Sequence, residues 1–213
     1  LVRSRGLGDV YKRQKIFVDT SGDATRYYET AHWGWQTQKQ MFLGLRQGYR
    51  DAADQLVEFV LRAHNIRIQD QLIFPILFNY RHSIELFLKS IYMRATNKLC
   101  KGHDLLDIWM HIENDVIEGL HSTNGKHSLN IDSTLLAGIK EGLSELLGAD
   151  MSIEERAVHS KGDKMADIWR YALSKDEQLY FNKNHSIDYY ALRDGVDELY
   201  NCLLYTSDAA DDG

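Results

Sequence analysis

The chain has 213 residues, a formal charge of −6 at pH 7, 44% hydrophobic and 11% aromatic residues, one proline and two cysteines. That length suits one domain with a substantial core, and aromatic content with so little proline argues against disorder. A mildly acidic balance excludes a general polyanion binder, because non-specific nucleic-acid affinity comes from phosphate neutralisation; a local basic site stays open.

The two ends stand apart from the rest. Ser4 to Gln14 and Cys202 to Asp211 resemble translated sequencing-library adaptor of the transposon type. Asp9 to Gln14 can be encoded GAT GTG TAT AAG AGA CAG. Its reverse complement, read one nucleotide in, is TGT CTC TTA TAC ACA TCN, which encodes Cys202 to Ser207. Residues 1–14 and 202–213 are therefore set aside as non-native, leaving 15–201 as a single domain. The charge balance is unchanged by the trimming, since the two ends together hold four basic residues (Arg3, Arg5, Lys12, Arg13) and four acidic ones (Asp9, Asp208, Asp211, Asp212). Cys100 alone remains, so neither a disulfide framework nor a cysteine-rich metal site is expected. No run approaches the ~20 apolar residues of a membrane span and no secretory signal is visible, so a cytoplasmic protein without membrane contact is expected.

Residues 15–19 (Lys-Ile-Phe-Val-Asp) suggest a short extended piece, and Tyr27, Tyr28, Trp33 and Trp35 a lid packed on the body. Residues 36–64 read as a long helix, with Phe42, Leu45, Tyr49, Ala52, Ala53, Leu56, Phe59, Val60 and Ala63 at helical spacing. Gly44 and Gly48 either weaken it or mark a close helix contact. Residues 71–97 read as a second helix with Pro75 in its first turn, where a missing N–H is harmless. Its apolar stripe is Ile73, Leu77, Tyr80, Ile84, Phe87, Leu88, Ile91 and Ala95. After a loop at 98–102, a third helix spans 104–119, with Asp104 as N-cap and Leu105, Ile108, Trp109, Ile112 and Val116 inward. Residues 121–130 read as loop and 132–148 as a fourth helix, with Leu135, Leu136, Ile139, Leu143, Leu146 and Leu147 inward and Gly148 near its end. Residues 149–186 are less regular, with a short helix at 164–171 and an extended 178–181. A last helix covers 187–201, with Tyr190, Leu192, Val196, Leu199 and Tyr200 apolar. The expected fold is an all-α antiparallel bundle of about five helices with an irregular N-terminal segment.

The second helix carries the chemistry. Arg81, His82, Glu85 and Lys89 share about a quarter of its circumference at 100° per residue, with Leu86 and Met93 beyond them on the far flank. Apolar residues on both sides imply a recess. Glu85 and Lys89 also form an i,i+4 pair of a kind common on exposed faces and worth about 0.2–0.5 kcal/mol, and His82 could be a satisfied interior histidine. The functional alternative is a polar pocket, where histidine suits proton transfer near neutral pH and arginine suits phosphate oxygens.

The order Tyr80-Arg-His-x-x-Glu-Leu-x-Leu-Lys89, a short loop, then Gly102-His-Asp-Leu105 opening the next helix, resembles the HEPN superfamily of small all-α domains. Asp167-Ile-Trp-Arg-Tyr171 and Ile187-Asp-Tyr before a final helix are similar to the C-terminal part of bacterial members, so the resemblance covers about 70–201. It implies an antiparallel bundle, often a homodimer, that engages RNA or nucleotides. Many members are metal-independent ribonucleases of toxin–antitoxin and phage-defence systems with an antitoxin protein as partner; others only bind nucleotides or proteins. Their ribonuclease motif, Arg-x(4–6)-His, lies late in the domain. Here the only pair at that spacing is Arg26 and His32, near the start, and Arg156 to His159 is too short. Whether the chain is an enzyme is left open. If it is, the expected catalytic groups are Arg81, His82 and His103, with Glu85, Lys89 and Arg170 binding, no metal and no cofactor. The alternative is a non-catalytic protein-interaction module with a structural polar cluster.

Other constellations carry less. His103-Asp104 has the order of a metal-phosphohydrolase dyad, yet nothing in the spacing of His111, His121, His127, His159 and His185 supplies the further ligands such a site needs. No phosphate-binding glycine loop or nucleophile elbow is present. Lys98 and Lys101 beside Cys100 would lower its pKa, but a plain helix-end residue is the commoner role. Trp169-Arg-Tyr171 could stack a base, although packing on the bundle is the commoner fate of such rings.

Overall fold

The computed structural model describes residues 31, 36–117, 133–146, 167–171, 173, 176–181 and 184–211. Five α-helices lie among them: α1 (Gln38–Ala63), α2 (Ile66–Thr96), α3 (Leu105–Ile112), α4 (Ser133–Leu146) and α5 (Tyr189–Asp211). The fold is the all-α bundle that the spacing predicts. The chain divides into two units, Leu1–Gln36 and Thr37–Gly213, and the five described helices belong to the second. The extended piece at 15–19, the aromatic lid, the 121–130 loop, Leu147 and Gly148, and the Arg26/His32 and Arg156/His159 pairs lie outside the described residues.

Thr37 opens α1 with a capping box. Its hydroxyl accepts from the Gln40 N–H, and the Gln40 side chain accepts from the Thr37 N–H at 2.9 Å, so two orphan donors are satisfied. His64 takes a left-handed φ of 45° and Asn65 caps α2, accepting from the Arg67 and Ile68 N–H groups. This two-residue link reverses the chain. Tyr80 meets Asp54 and Ser83 meets Arg46, so advancing along α2 retreats along α1, and the long pair is antiparallel.

Helix α2 starts at Ile66, not near 71, and Pro75 stands in its third turn instead of its first. The ring costs about 3 kcal/mol in a helix interior. The Asn65 cap, with Ile68, Leu72 and Ile73 packed against the core, outweighs it. Farther on, every residue from Ser83 to Leu88 is buried, which makes α2 the central helix, touched by α1, α3 and α5.

Asp104 caps α3 as expected, accepting from the Leu106 and Asp107 N–H groups. Leu105, Ile108, Trp109, Ile112 and Val116 are all buried. The α geometry stops at Ile112, and Glu113–Ile117 continues as a π-helical turn. Tyr92 donates to Asp115 across it at 2.7 Å. In α4, Ile139, Leu143 and Leu146 are buried, and a Cβ added to Gly142 would meet the Leu199 side chain of α5 at 3.5 Å.

Three expectations about facing are corrected. Phe59, Leu45 and Ala52 of α1 and Ala95 of α2 face outward, and Val57 takes an inward place on α1. Gly44 and Gly48 mark no close contact, since a Cβ on either would meet nothing within 4 Å. On α5, Tyr189 is buried and donates to the Gln69 carbonyl, while Tyr190 points out.

Helix α5 also runs past 201. Leu203, Thr206 and Ser207 continue the buried stripe of Leu199 and Tyr200 at i+3 and i+4 steps. Their packing follows from side-chain spacing, whichever DNA encoded them. In the irregular part, a turn at 168–170 stands within the expected 164–171 helix, and an isolated antiparallel bridge joins Leu173 to Leu179 beside the expected extended piece. Ile168 and Tyr180, with Trp169 and Phe181, form a small cluster separate from the main core. Among the described residues no helix is long and apolar enough to cross a membrane.

Candidate functional site

The charged file on α2 converges on one carboxylate. Glu85 is 2% exposed. Its Oε1 accepts from Lys89 Nζ at 2.8 Å and lies 2.8 Å from His103 Nδ1. Its Oε2 accepts from Arg81 Nη1 at 3.1 Å, and His82 Nδ1 stands 3.9 Å away. Burial pushes the Glu85 carboxyl up. The neighbouring His82, Lys89 and His103 outweigh that and hold it at about 2. Glu85 is therefore an anion at neutral pH, unfit as a general acid or base but well placed to hold cations and orient rings.

Local structure brings His103 to it. Asn97 ends α2 in the left-handed region, and Gly102 has a φ of 90°, a conformation that L side chains rarely adopt. The loop thus folds back over α2 before Asp104 starts α3. Arg81 Nη2 donates to the His103 carbonyl at 2.6 Å while Glu85 meets the His103 ring. One loop residue is pinned by backbone and side chain from adjacent turns of α2.

The expected catalytic and binding residues are thus sorted. Arg81, 1% exposed with both terminal nitrogens bonded, cannot reach a ligand and acts as a positioning group. Glu85 is likewise internal. His82 is 27% exposed, Lys89 16% and His103 49%, so these three are the members of the cluster that reach the surface. Arg170 is outside the ion-pair network. It pairs with Asp167 at 2.8 Å, and its guanidinium carbon lies 5.9 Å from the Phe78 ring centre. Phe78 in turn stacks on His82, so Arg170 stands one ring away from the file.

The same geometry fixes the tautomer of His103. A carboxylate only accepts, so the Nδ1 facing Glu85 carries the proton, and in the neutral ring Nε2 keeps its lone pair for the outside. His82 is oriented differently. Tyr49 meets it edge-on at 4.5 Å and Phe78 lies parallel at 5.6 Å between centroids. These two flanking rings escaped sequence reasoning. Phe78 lies four residues before His82 and could have been found by helical spacing; Tyr49 comes from another helix.

A second polar knot sits on the opposite face of α2. The Tyr200 hydroxyl donates to Ser83 Oγ, which donates to the Arg46 carbonyl at 3.0 Å. The Arg46 guanidinium lies 3.9 Å over the Phe87 ring, and Arg50 covers Tyr200 and pairs with Asp197. Burial raises the Tyr200 hydroxyl pKa, and burial with the Asp54 hydrogen bond raises that of Tyr80. Nothing in the sequence marks this knot, since Ser83 stands between His82 and Ile84 within the charged file.

Cys100 is buried, and desolvation pushes its thiol up despite Lys89 nearby, which removes the reactive-cysteine reading. Asp104 spends its carboxylate on the α3 cap. Among the described residues no group of three or more His, Cys, Asp or Glu is placed to hold a metal ion. No protein-family model, curated protein or solved structure matches the chain.

Proposed function

We propose that this chain is an HEPN-like helical domain that engages RNA or nucleotides in a defence or toxin–antitoxin setting, with metal-independent ribonuclease chemistry at His103 and His82. The observation that carries the reading is the Glu85–His103 pair: a buried carboxylate 2.8 Å from Nδ1 of a half-exposed imidazole, which turns Nε2 outward as a base. Lys89 adds positive charge beside it.

The chemistry runs as transesterification. His103 Nε2 takes the proton of a ribose 2′-hydroxyl. The 2′-oxygen attacks the phosphorus, the bond to the 5′-oxygen breaks, and protonated His82 gives that oxygen its proton. A 2′,3′-cyclic phosphate and a 5′-hydroxyl result. Lys89 offsets charge on the phosphoryl oxygens. The test is cleavage of total RNA in EDTA by wild type, His103→Ala and His82→Ala, with helicity checked by circular dichroism. Wild-type cleavage lost in both variants supports the reading. No cleavage by the folded wild type removes the enzyme claim.

The family resemblance also implies a homodimer, which sedimentation tests directly. A second reading, a non-catalytic interaction module, is favoured by the burial and pairing of Arg81 and Glu85, which suit a structural role. It predicts that His103→Ala leaves every binding partner unaffected while Glu85→Gln lowers the melting temperature.

A further inference from the structure

The polar file is half of a longer face. Phe74, Phe78, His82, Glu85 and Lys89 follow one another at three- and four-residue steps, so they lie along one side of α2, aromatic toward its start and charged toward its end. The segment 167–171 sits against the aromatic half, and its consecutive residues part ways. Trp169 packs inward, its ring 5.2 Å from Phe181 and 6.4 Å from Phe74, beside buried Ile168. Tyr171 stays 56% exposed. Arg170 lies between, 5.2 Å from the Tyr171 ring and 5.9 Å from Phe78, and is held in place by Asp167.

The result is a continuous series of flat groups: Tyr171, the Arg170 guanidinium, Phe78 and His82. A lone exposed tyrosine needs no explanation. This one stands beside a tethered arginine and leads to one of the two imidazoles of the site.

We infer that Tyr171 and Arg170 form a base-stacking subsite for single-stranded RNA, holding a nucleobase beside the phosphate that faces His82, His103 and Lys89. This rests on the reading of the site as a ribonucleotide site and adds how its substrate is gripped. Every nucleobase has a π face, and stacking on tyrosine or a guanidinium plane is tolerant of sequence. Such a subsite selects unpaired strands, because a base in a duplex has no free face.

The experiment is fluorescence anisotropy with a short labelled oligoadenylate and an abasic ribose-phosphate strand of the same length, on wild type, Tyr171→Ala and Tyr171→Phe. An exposed side chain can be truncated without disturbing the core, and circular dichroism checks this. The expected result is oligoadenylate binding weakened roughly tenfold or more in Tyr171→Ala, retained in Tyr171→Phe, with the abasic strand bound weakly and equally by all three. Equal affinity of wild type for both strands, or no loss in Tyr171→Ala, overturns the stacking subsite and leaves the ribonucleotide reading standing. No binding of either strand at low salt overturns both.

Discussion

Removing the carboxylate of Glu85 takes away the anion 3.1 Å from the Arg81 guanidinium, a group sealed from water. Breaking a buried pair from one side costs about 3–5 kcal/mol, far above the few tenths of an exposed i,i+4 pair. Glu85→Gln is therefore expected to lower stability by roughly that amount in urea or thermal melts. The pH dependence has a definite sign. In the folded chain Glu85 holds its charge down to about 2, against an ordinary 4.5. The folded value is the lower one, so this stabilisation is complete above about 4.5 and is lost as pH falls from there toward 2, with a total of roughly 3 kcal/mol. Urea melts across that window should show a steeper loss for wild type than for Glu85→Gln. At this scale the sequence was legible where helical spacing alone decides: Arg81, His82, Glu85 and Lys89 do share a face, and His103 does join them. It could not show that Arg81 turns to a loop carbonyl, because that acceptor is placed by Gly102 and Asn97, or that Arg170 pairs with Asp167 and stands beside Phe78.

Helices were easier to locate than to orient or bound. Repeats of apolar residues at three and four residues mark all five, yet the start of α2 was hidden by Pro75, which reads as a first-turn residue until the Asn65 cap is seen. Tyr189 and Tyr190 are adjacent and chemically identical. Which one turns inward depends on the Gln69 carbonyl, a partner 120 residues away. Phe59 reads as core by spacing and stands 51% exposed, because neighbouring helices cover only part of α1. The open surroundings of Gly44 and Gly48 yield a prediction for α1. Alanine at an exposed helix interior position restricts the unfolded chain and meets no neighbour here, so Gly44→Ala with Gly48→Ala should raise stability by about 1–2 kcal/mol. A thermal melt showing no gain would mean that α1 frays at its start.

At the scale of the molecule, the main core draws its members from residues 53 to 203, all on one side of the division at Gln36/Thr37. A chain beginning at Thr37 should keep the five described helices and unfold in one cooperative step by circular dichroism. Ending the chain after Asn201 is different. It deletes fully buried Leu203 and the Arg94–Ser207 hydrogen bond, and should cost about 2–5 kcal/mol. The sequence reading sets residues 202–213 aside, whereas the structure buries Leu203, Thr206 and Ser207 among them.

The two polar knots on opposite sides of α2 have a joint consequence. Greasy surfaces alone would let a rod of this length screw forward by a turn and find nearly equivalent neighbours. Ser83 gripping α1 and α5 from one side, and Glu85 gripping the α2–α3 loop from the other, leave a single azimuth and a single height at which both are satisfied. The imidazole of His103 thereby inherits its aim from a serine and a tyrosine on the far side of the rod.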